Sequence, residues 1–233
     1  MNKYSEFKFT SRTTQGLLLF VLTLIVFNIA FISSNGWARL FWNISGYAIL
    51  FMVYKFTRLS LDSIGLSRRS IKPGLKYGCY IVLVILFVML VAFFIDKTIY
   101  KDPRYHRNLS TALYSVLILL PLKTVIFEEI AFRGILPAIL LKIRNERRFA
   151  AIVASLAFGL WHVFSATKIG NYHIGGNVNI PGIAVIGGVF IATSLFGYLL
   201  CELRLRSNSL VAPIIVHWFL NGFGIVLASL SWL

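Results

Sequence analysis

Three ionisable side chains stand in a part of the sequence that is otherwise apolar. The stretch TVIFEEIAFRG, residues 124–134, contains Glu128, Glu129 and Arg133. A charge at the centre of a bilayer costs about 2.5–3.5 kcal/mol on insertion scales, so these three charges need compensation. An ionisable residue inside a membrane segment indicates a functional site, and a glutamate in such a place is a candidate general base.

Two further apolar segments carry polar residues at helical spacing. FGLWHV contains His162 four residues after Phe158, and HWFLNG contains His217 four residues before Asn221. Residues four apart share one face of a helix. Counted from the nearest basic loop, Glu129, His162 and His217 each lie roughly 16–21 Å along a helix, at 1.5 Å per residue. We therefore expect these side chains to converge inside the membrane.

Hydrolysis by an activated water molecule suits these residue types. A glutamate can take a proton from water, and Asn221 together with a histidine can donate hydrogen bonds to the oxyanion that follows attack on a carbonyl. Arg133 lies four residues after Glu129 and can pair with it. Such an ion pair would anchor one glutamate and leave the other available as a base, and the sequence does not say which of the two is the base. The sequence has no G-x-S-x-G motif and no cysteine beside a histidine, which argues against a covalent intermediate.

A metal centre is an alternative that the residue types leave open. Glutamate and histidine are zinc ligands, and zinc-bound water is a good nucleophile at neutral pH. The candidates are Glu129, His162 and His217. No H-E-x-x-H helix is present. A divalent metal such as zinc is therefore neither required nor excluded by the sequence.

The composition requires membrane helices to position these residues. Of the 233 residues, 58% are hydrophobic and 13% are charged, whereas soluble domains carry about 25% charged residues. We predict an all-α fold, a polytopic transmembrane helical bundle of about seven spans. The predicted spans are 16–34, 40–56, 74–95, 109–141, 149–166, 181–202 and 209–230. The fourth span is too long for one upright crossing and contains Pro121 and Pro137, which predicts a tilted or kinked helix.

The net charge of +15 is also explained by a membrane location. The basic residues cluster between the apolar spans, as in cytoplasmic loops, so we expect a multi-pass protein of the cell membrane and no nucleic-acid partner. The pattern places the N-terminal tail, with Lys3 and Lys8, in the cytoplasm and the C-terminus outside. Loop 96–108 is an exception, because it is basic but predicted outside. Loop 167–180 is interpreted as an ordinary connection rather than a lid.

The motifs that carry this chemistry also resemble a known family. EEIAFRG, FGLWH and SLVAPIIVHWFLNG are similar to the E-E-x-x-x-R, F-x-x-x-H and H-x-x-x-N motifs of the CPBP family, the CAAX-prenyl-protease and bacteriocin-processing (Abi) intramembrane endopeptidases. The resemblance covers about the last 110 residues. It implies one membrane domain, in which spans 1–3 occupy residues 1–105 and a catalytic core of spans 4–7 occupies residues 106–233.

The resemblance implies roles for the candidate residues. Glu128 or Glu129 would activate water, Arg133 would orient the pair, His162 would assist with water or metal, and His217 and Asn221 would stabilise the oxyanion. The expected substrate is a membrane-embedded or membrane-associated protein or peptide, and a role in bacteriocin maturation or self-immunity is expected of a small bacterial member. The alternatives are a non-proteolytic immunity protein and a proton-coupled transporter, whose usual inverted repeat is not visible.

Overall fold

The computed structural model describes residues 11–106, 108–166, 173–174, 178–179 and 182–233. These described residues form seven long helices: α1 (Ser11–Ser33), α2 (Gly36–Phe56), α3 (Arg68–Ile95), α4 (Leu109–Ile143), α5 (Arg147–Ala166), α6 (Gly182–Ser207) and α7 (Val211–Leu230). Two short 3-10 helices, Lys97–Tyr100 and Pro103–Tyr105, lie between α3 and α4. The predicted all-α membrane fold is confirmed.

A two-residue strand pair is the exception to the helical pattern. β1 (His173–Ile174) and β2 (Val178–Asn179) are antiparallel, with His173 opposite Asn179. Both strands belong to the predicted loop 167–180, and the rest of that loop lies outside the described residues, as does the tail with Lys3 and Lys8. The interpretation of this loop as an ordinary connection therefore stays a prediction.

Six of the seven described helices are long and apolar enough to cross a membrane. The helix outside this set is α2, which is long enough at 21 residues. It carries Arg39 near its beginning, Asn43 and Ser45 in its middle and Lys55 near its end. These polar residues lower its mean hydropathy below that of the other six helices.

The long fourth helix is irregular where the prolines predict irregularity. α4 runs for 35 residues and contains π-helical segments at Ser115–Leu119, Pro121–Val125 and Ile130–Ile135. Pro121 begins the second of these segments. Proline lacks an N–H and its ring clashes with the carbonyl four residues earlier, so a wider turn relieves a conflict that a regular α-helix would contain.

The chain divides into two compact units, and each is discontinuous in sequence. The first unit contains Met1–Ile64 and Ala131–Glu202, and the second contains Gly65–Ile130 and Leu203–Leu233. The chain passes between the units within α4 and again within α6. The division into residues 1–105 and 106–233 stays a prediction, since these units group residues by proximity and not by role.

Small residues bring α3 close to the beginning of α7 in the second unit. A Cβ atom added to Gly74 would collide with the Ser209 hydroxyl, and one added to Gly78 would lie 3.3 Å from the Ala212 backbone. Gly65, with φ of +78°, accepts a hydrogen bond of 2.7 Å from the Leu210 amide. Gly65, in the loop before α3, and the two glycines of α3 therefore fix the start of α7, the helix that carries His217.

In the first unit, α1 packs against α2, the end of α4 and α5. The Asn28 amide donates a 2.8 Å hydrogen bond to the Trp161 carbonyl, and the rings of Phe27 and Trp161 stack at 5.9 Å. The Lys142 ammonium donates to the carbonyls of Thr57 and Arg58, at 2.8 and 2.9 Å. A cation at the C-terminus of α2 is favourable because it satisfies carbonyls that have no partner within the helix.

Candidate active site

The centre of the candidate site in the second unit is the bond between His217 and Glu129. The Nδ1–H of His217 donates to Oε1 of Glu129 over 2.7 Å. Glu129 is 0% exposed and His217 is 3% exposed, so water does not compete with this bond. A buried hydrogen bond of this kind keeps a proton on Nδ1 and fixes the orientation of the imidazole.

The neighbouring carboxylate approaches the other nitrogen of the same ring. Oε2 of Glu128 lies 4.0 Å from Nε2 of His217. This distance is too long for a direct hydrogen bond and is compatible with one water molecule bound to both atoms. Adjacent residues of a helix are about 100° apart, which allows the two carboxylates to meet the imidazole at different nitrogens. The two glutamates therefore have different environments although they are neighbours in sequence.

A tryptophan and a glycine close to His217 hold α7 against the first part of α4. The indole Nε1–H of Trp218 donates to the Val116 carbonyl over 2.8 Å. Val116 belongs to the π-helical segment Ser115–Leu119. A Cβ atom on Gly222 would lie 2.8 Å from Cγ1 of Val116, so only glycine permits this approach. Both residues position His217.

The sequence alone does not mark Trp218 or Gly222 as positioning residues. The signal that it contains is their place, Trp218 within the H-x-x-x-N motif and Gly222 directly after it. An indole N–H inside an apolar helix needs an acceptor, and a glycine inside a membrane helix indicates close packing. Their partner in α4 is not visible in the sequence, because Val116 is an ordinary apolar residue.

Asn221 lies on α7, one turn after His217, and is partly exposed. Its side-chain amide has no hydrogen bond within the part of the chain that the structure describes. An amide that is not engaged in the fold is available to a ligand. This agrees with the role in oxyanion binding that the family resemblance implies.

The remaining two candidates, Arg133 and His162, lie in the first unit and contact the same aromatic ring. Cζ of the Arg133 guanidinium is 3.9 Å from the centroid of the Phe158 ring, and the His162 ring lies 4.4 Å from it, edge to face. Arg133 is 1% exposed. Gly197 leaves room for this stack, because a Cβ atom there would be 3.1 Å from the Phe158 ring.

The F-x-x-x-H spacing has a second consequence for His162. Nδ1 of His162 lies 2.9 Å from the Phe158 carbonyl. A carbonyl only accepts, so Nδ1 carries the proton and donates it. In the neutral ring, Nε2 is then left with a lone pair that can accept a proton, a hydrogen bond or a metal ion.

The structure thus brings Glu128, Glu129 and His217 together and places Asn221 on the same helix as His217. It brings Arg133 and His162 together at Phe158. The expected ion pair between Glu129 and Arg133 stays a prediction. What the structure adds is the direct bond from Glu129 to His217, which the sequence does not indicate.

The metal candidates are divided between the two units: Glu129 and His217 belong to the second unit and His162 to the first. Among the residues that the structure describes, no three side chains of histidine, cysteine, aspartate or glutamate are arranged to hold a metal ion. Catalytic zinc sites use three protein ligands. The expectation of a divalent metal stays a prediction.

An apolar cavity of about 180 Å³ lies in the first unit. It is lined by α1, α4 and α5, with Leu24, Phe132 and Trp161 among its walls. The Phe132 ring also contacts the Phe158 ring edge to face, at 5.3 Å. A single layer of aromatic rings therefore separates this cavity from the stack that holds Arg133 and His162.

Comparison with known proteins finds one family model that covers the candidate residues. The family model described as type II CAAX prenyl endopeptidase Rce1-like matches residues 110–223, a stretch that contains all six candidate residues. No curated protein matches the chain. No solved structure matches it either. The match confirms the resemblance to the CPBP family: over residues 110–223 the chain is similar to the Rce1-like type II CAAX prenyl endopeptidases.

Proposed function

We propose that the protein is an intramembrane endopeptidase that hydrolyses a peptide bond of a membrane-embedded or membrane-associated protein or peptide, with a water molecule activated by a glutamate. The family match over residues 110–223 supports a CAAX-type protease. The observation that carries the finer proposal is the imidazole of His217 between two buried carboxylates. Ionisable groups are costly in an apolar segment, so a set of three in contact indicates chemistry and not only packing.

In the proposed mechanism, Glu128 is the general base. Its Oε2 takes a proton from a water molecule held near Nε2 of His217, and the water oxygen bonds to the carbonyl carbon of the substrate. Nε2–H of the protonated imidazole and the Asn221 amide donate hydrogen bonds to the resulting oxyanion. Glu128 then returns the proton to the leaving nitrogen as the carbon–nitrogen bond breaks.

Glu129 has a positioning role in this mechanism. Its bond to Nδ1–H holds the ring of His217, and its negative charge stabilises the protonated imidazole. In the first unit, Arg133 and Phe158 hold His162. We propose that Nε2 of His162 assists with water, as the family resemblance implies.

The test is cleavage of tagged membrane-anchored peptides in membranes that contain the wild type or one variant. Glu128→Gln removes the base, so we expect the cleavage rate to fall by about 10²–10⁴-fold, the usual contribution of a general base. Glu129→Gln keeps an acceptor for Nδ1–H and removes the charge, so we expect a smaller loss. Glu146→Gln is the matched control, because Glu146 is exposed and pairs with Arg144 at the surface.

The same assay tests the glutamate mechanism and the requirement for a metal. Cleavage at the wild-type rate by the Glu128→Gln variant, with equal expression, would refute the glutamate mechanism. A divalent metal such as zinc remains a proposal from the residue types. It predicts that a chelator abolishes cleavage and that added zinc restores it, whereas a metal-independent enzyme is unaffected.

A finer proposal concerns biological role, either bacteriocin maturation or self-immunity. It rests on the resemblance to the bacteriocin-processing members of the CPBP family. Self-immunity could be proteolytic or non-proteolytic. Measuring whether cells that express the Glu128→Gln variant are still protected from the bacteriocin distinguishes the two. Protection lost with Glu128 would require proteolysis, whereas protection retained would assign a non-proteolytic immunity function.

A further inference from the structure

The N-terminal end of α3 carries a dense group of exposed cations. Four basic residues fall within its first nine positions and all are exposed: Arg68, Arg69, Lys72 and Lys76. The rise of 1.5 Å per residue places them within about 12 Å along the helix. We call these four residues the basic stripe.

The basic stripe points away from the protein of its own unit. At 100° per residue, the four cations fall within an arc of about 100° around the helix. The buried residues Gly74 and Gly78 lie on the roughly opposite face, where they contact Ser209 and Ala212. The stripe therefore faces the surroundings of the second unit and not its interior.

In the part of the second unit that the structure describes, no anionic side chain pairs with this charge. None of the four cations has an ion pair or a hydrogen bond from its side chain within the described ranges of the chain. The first turn of α3 contains no acidic residue, and its N-cap, Ser67, makes no side-chain capping hydrogen bond. Cations at a helix N-terminus are unfavourable, because that end already carries positive partial charge. An external anion at this place would relieve that repulsion.

The length of α3 places the basic stripe at the depth of the lipid head groups. A helix of 28 residues is about 42 Å long, and the hydrocarbon core is about 30 Å thick. The excess of about 12 Å equals the length of the basic segment. Tyr77 and Tyr80, which follow it, are 47% and 67% exposed, and tyrosine prefers the boundary between hydrocarbon and water.

We propose that the basic stripe binds the phosphate groups of anionic phospholipids. Lipid is favoured over an acidic protein because the stripe is fixed at head-group depth on an outward face, where lipid is always within reach. Each exposed lysine or arginine near a membrane surface adds to the attraction for anionic lipid. This site is independent of the proposed protease chemistry, since its residues lie outside the family match at 110–223.

A native cysteine provides the measurement. Cys79 is exposed and falls in the same arc of α3, three residues after Lys76, whereas Cys201 is buried. A donor dye on Cys79 reports energy transfer to acceptor-labelled phosphatidylglycerol, which is anionic, or to acceptor-labelled phosphatidylcholine, which has no net charge. The protein is held in nanodiscs of phosphatidylcholine, and the labelled lipid is titrated.

We expect half-maximal transfer at a several-fold lower fraction of phosphatidylglycerol than of phosphatidylcholine. In the Arg68→Gln/Lys72→Gln variant, the fraction of phosphatidylglycerol at half-maximal transfer should be roughly five-fold higher for each cation removed. Raising the salt from 0.05 to 0.5 M should weaken the preference, because charge interactions at the surface are screened. The Lys72→Arg/Lys76→Arg variant keeps the charge and should behave as the wild type.

The matched control is Arg147→Gln/Arg148→Gln, which removes two exposed cations at the beginning of α5. It should leave transfer at Cys79 unchanged. Equal transfer to both lipids in the wild type would overturn the proposal. So would an equal loss in the control variant, because the preference would then follow net charge and not the basic stripe. Circular dichroism of each variant verifies that α3 is folded.

Discussion

At the scale of single residues, the two adjacent glutamates are distinguished by what each meets on one imidazole ring. Glu129 is completely buried and bonded to Nδ1 of His217, whereas Glu128 is 5% exposed and 4.0 Å from Nε2. The bond from His217 holds Glu129 in place beside the imidazole. The distance of 4.0 Å at Glu128 leaves room for a water molecule between Oε2 and Nε2. This difference supports the proposal that Glu128 is the base, where the sequence leaves two choices.

The hydrogen bond of Trp218 should support both stability and activity. Trp218→Phe keeps an aromatic ring but leaves the Val116 carbonyl without its donor. An unsatisfied buried acceptor costs about 1–3 kcal/mol, and His217 is the next residue in the chain. We expect a lower unfolding temperature in detergent and slower cleavage by the folded variant.

Trp37→Phe is the control for this prediction, because Trp37 is 86% exposed. It should leave both quantities unchanged. If the Trp218→Phe variant unfolds at the wild-type temperature and cleaves at the wild-type rate, the bond to Val116 does not position His217.

At the scale of elements, α4 shows how much the sequence can predict. Pro121 and the length of the apolar run predict an irregular helix, and an irregular helix is present. The π-helical segment Ser115–Leu119 contains the carbonyl of Leu117, four residues before Pro121, with which the proline ring would clash in a regular helix. The hydrogen bond from the Trp218 indole to Val116 in the same segment joins residues about 100 apart and is not visible in the sequence. Local pattern therefore predicts helices, faces and this irregularity, whereas long-range partners have to be read from the structure.

Gly222 and Gly224 provide a matched pair of substitutions on α7. A Cβ atom at Gly222 would meet Val116 at 2.8 Å, whereas one at Gly224 would have its nearest neighbour, the end of Met89, at 3.8 Å. We expect Gly222→Ala to lower the free energy of unfolding by about 1–3 kcal/mol, the usual cost of overpacking. Gly224→Ala should be neutral or slightly stabilising, because alanine favours the helix.

Unfolding of the two glycine variants by denaturant in mixed micelles measures the difference. Cleavage by the folded protein should fall only in the Gly222→Ala variant, because a shift of α7 displaces His217 from Glu129. Equal stability of both variants would show that α7 moves away from α4 without cost.

The segment between α3 and α4 should be sensitive to acid through Asp102. Its hydrogen bonds to Arg104 lower the pKa of the Asp102 carboxyl below the ordinary value of 3.8. A lowered pKa in the folded state contributes stability above the ordinary value, and this contribution is lost as the pH falls through the folded pKa. The Asp102 carbonyl also accepts a hydrogen bond from the Trp232 indole, so this segment holds the C-terminal end.

We therefore expect the wild type to lose more thermal stability than Asp102→Asn between pH 6 and pH 3. Arg104→Gln should reduce the acid sensitivity in the same way, because it removes the cause of the lowered pKa. The effect should be small, since the Asp102 side chain is 21% exposed and Arg104 is 77% exposed. An identical acid response in all three proteins would exclude this pair as its source.

At the scale of the whole molecule, the number of crossings depends on α2. Its composition is less apolar than that of the other described long helices, yet its 21 residues span about 31 Å, enough for the hydrocarbon core. Arg39 and Lys55 lie near its two ends, where long basic side chains reach the head groups. Between Arg39 and Lys55 its large exposed side chains are apolar, including Phe41, Ile44 and Phe51, as expected for a surface that contacts lipid.

We therefore predict that α2 crosses the membrane and that the two termini lie on opposite sides, with the N-terminus in the cytoplasm. A reporter active only in the cytoplasm should be fluorescent when fused to the N-terminus and dark when fused after Leu233. Replacing Ile44 and Phe51, which are exposed on α2, by lysine should disturb this crossing and place the second fusion in the cytoplasm. Fluorescence of both fusions on the unaltered protein would mean an even number of crossings, and α2 would then lie along one surface. Loop 96–108 would in that case be cytoplasmic, and its basic residues would no longer be an exception to the positive-inside rule.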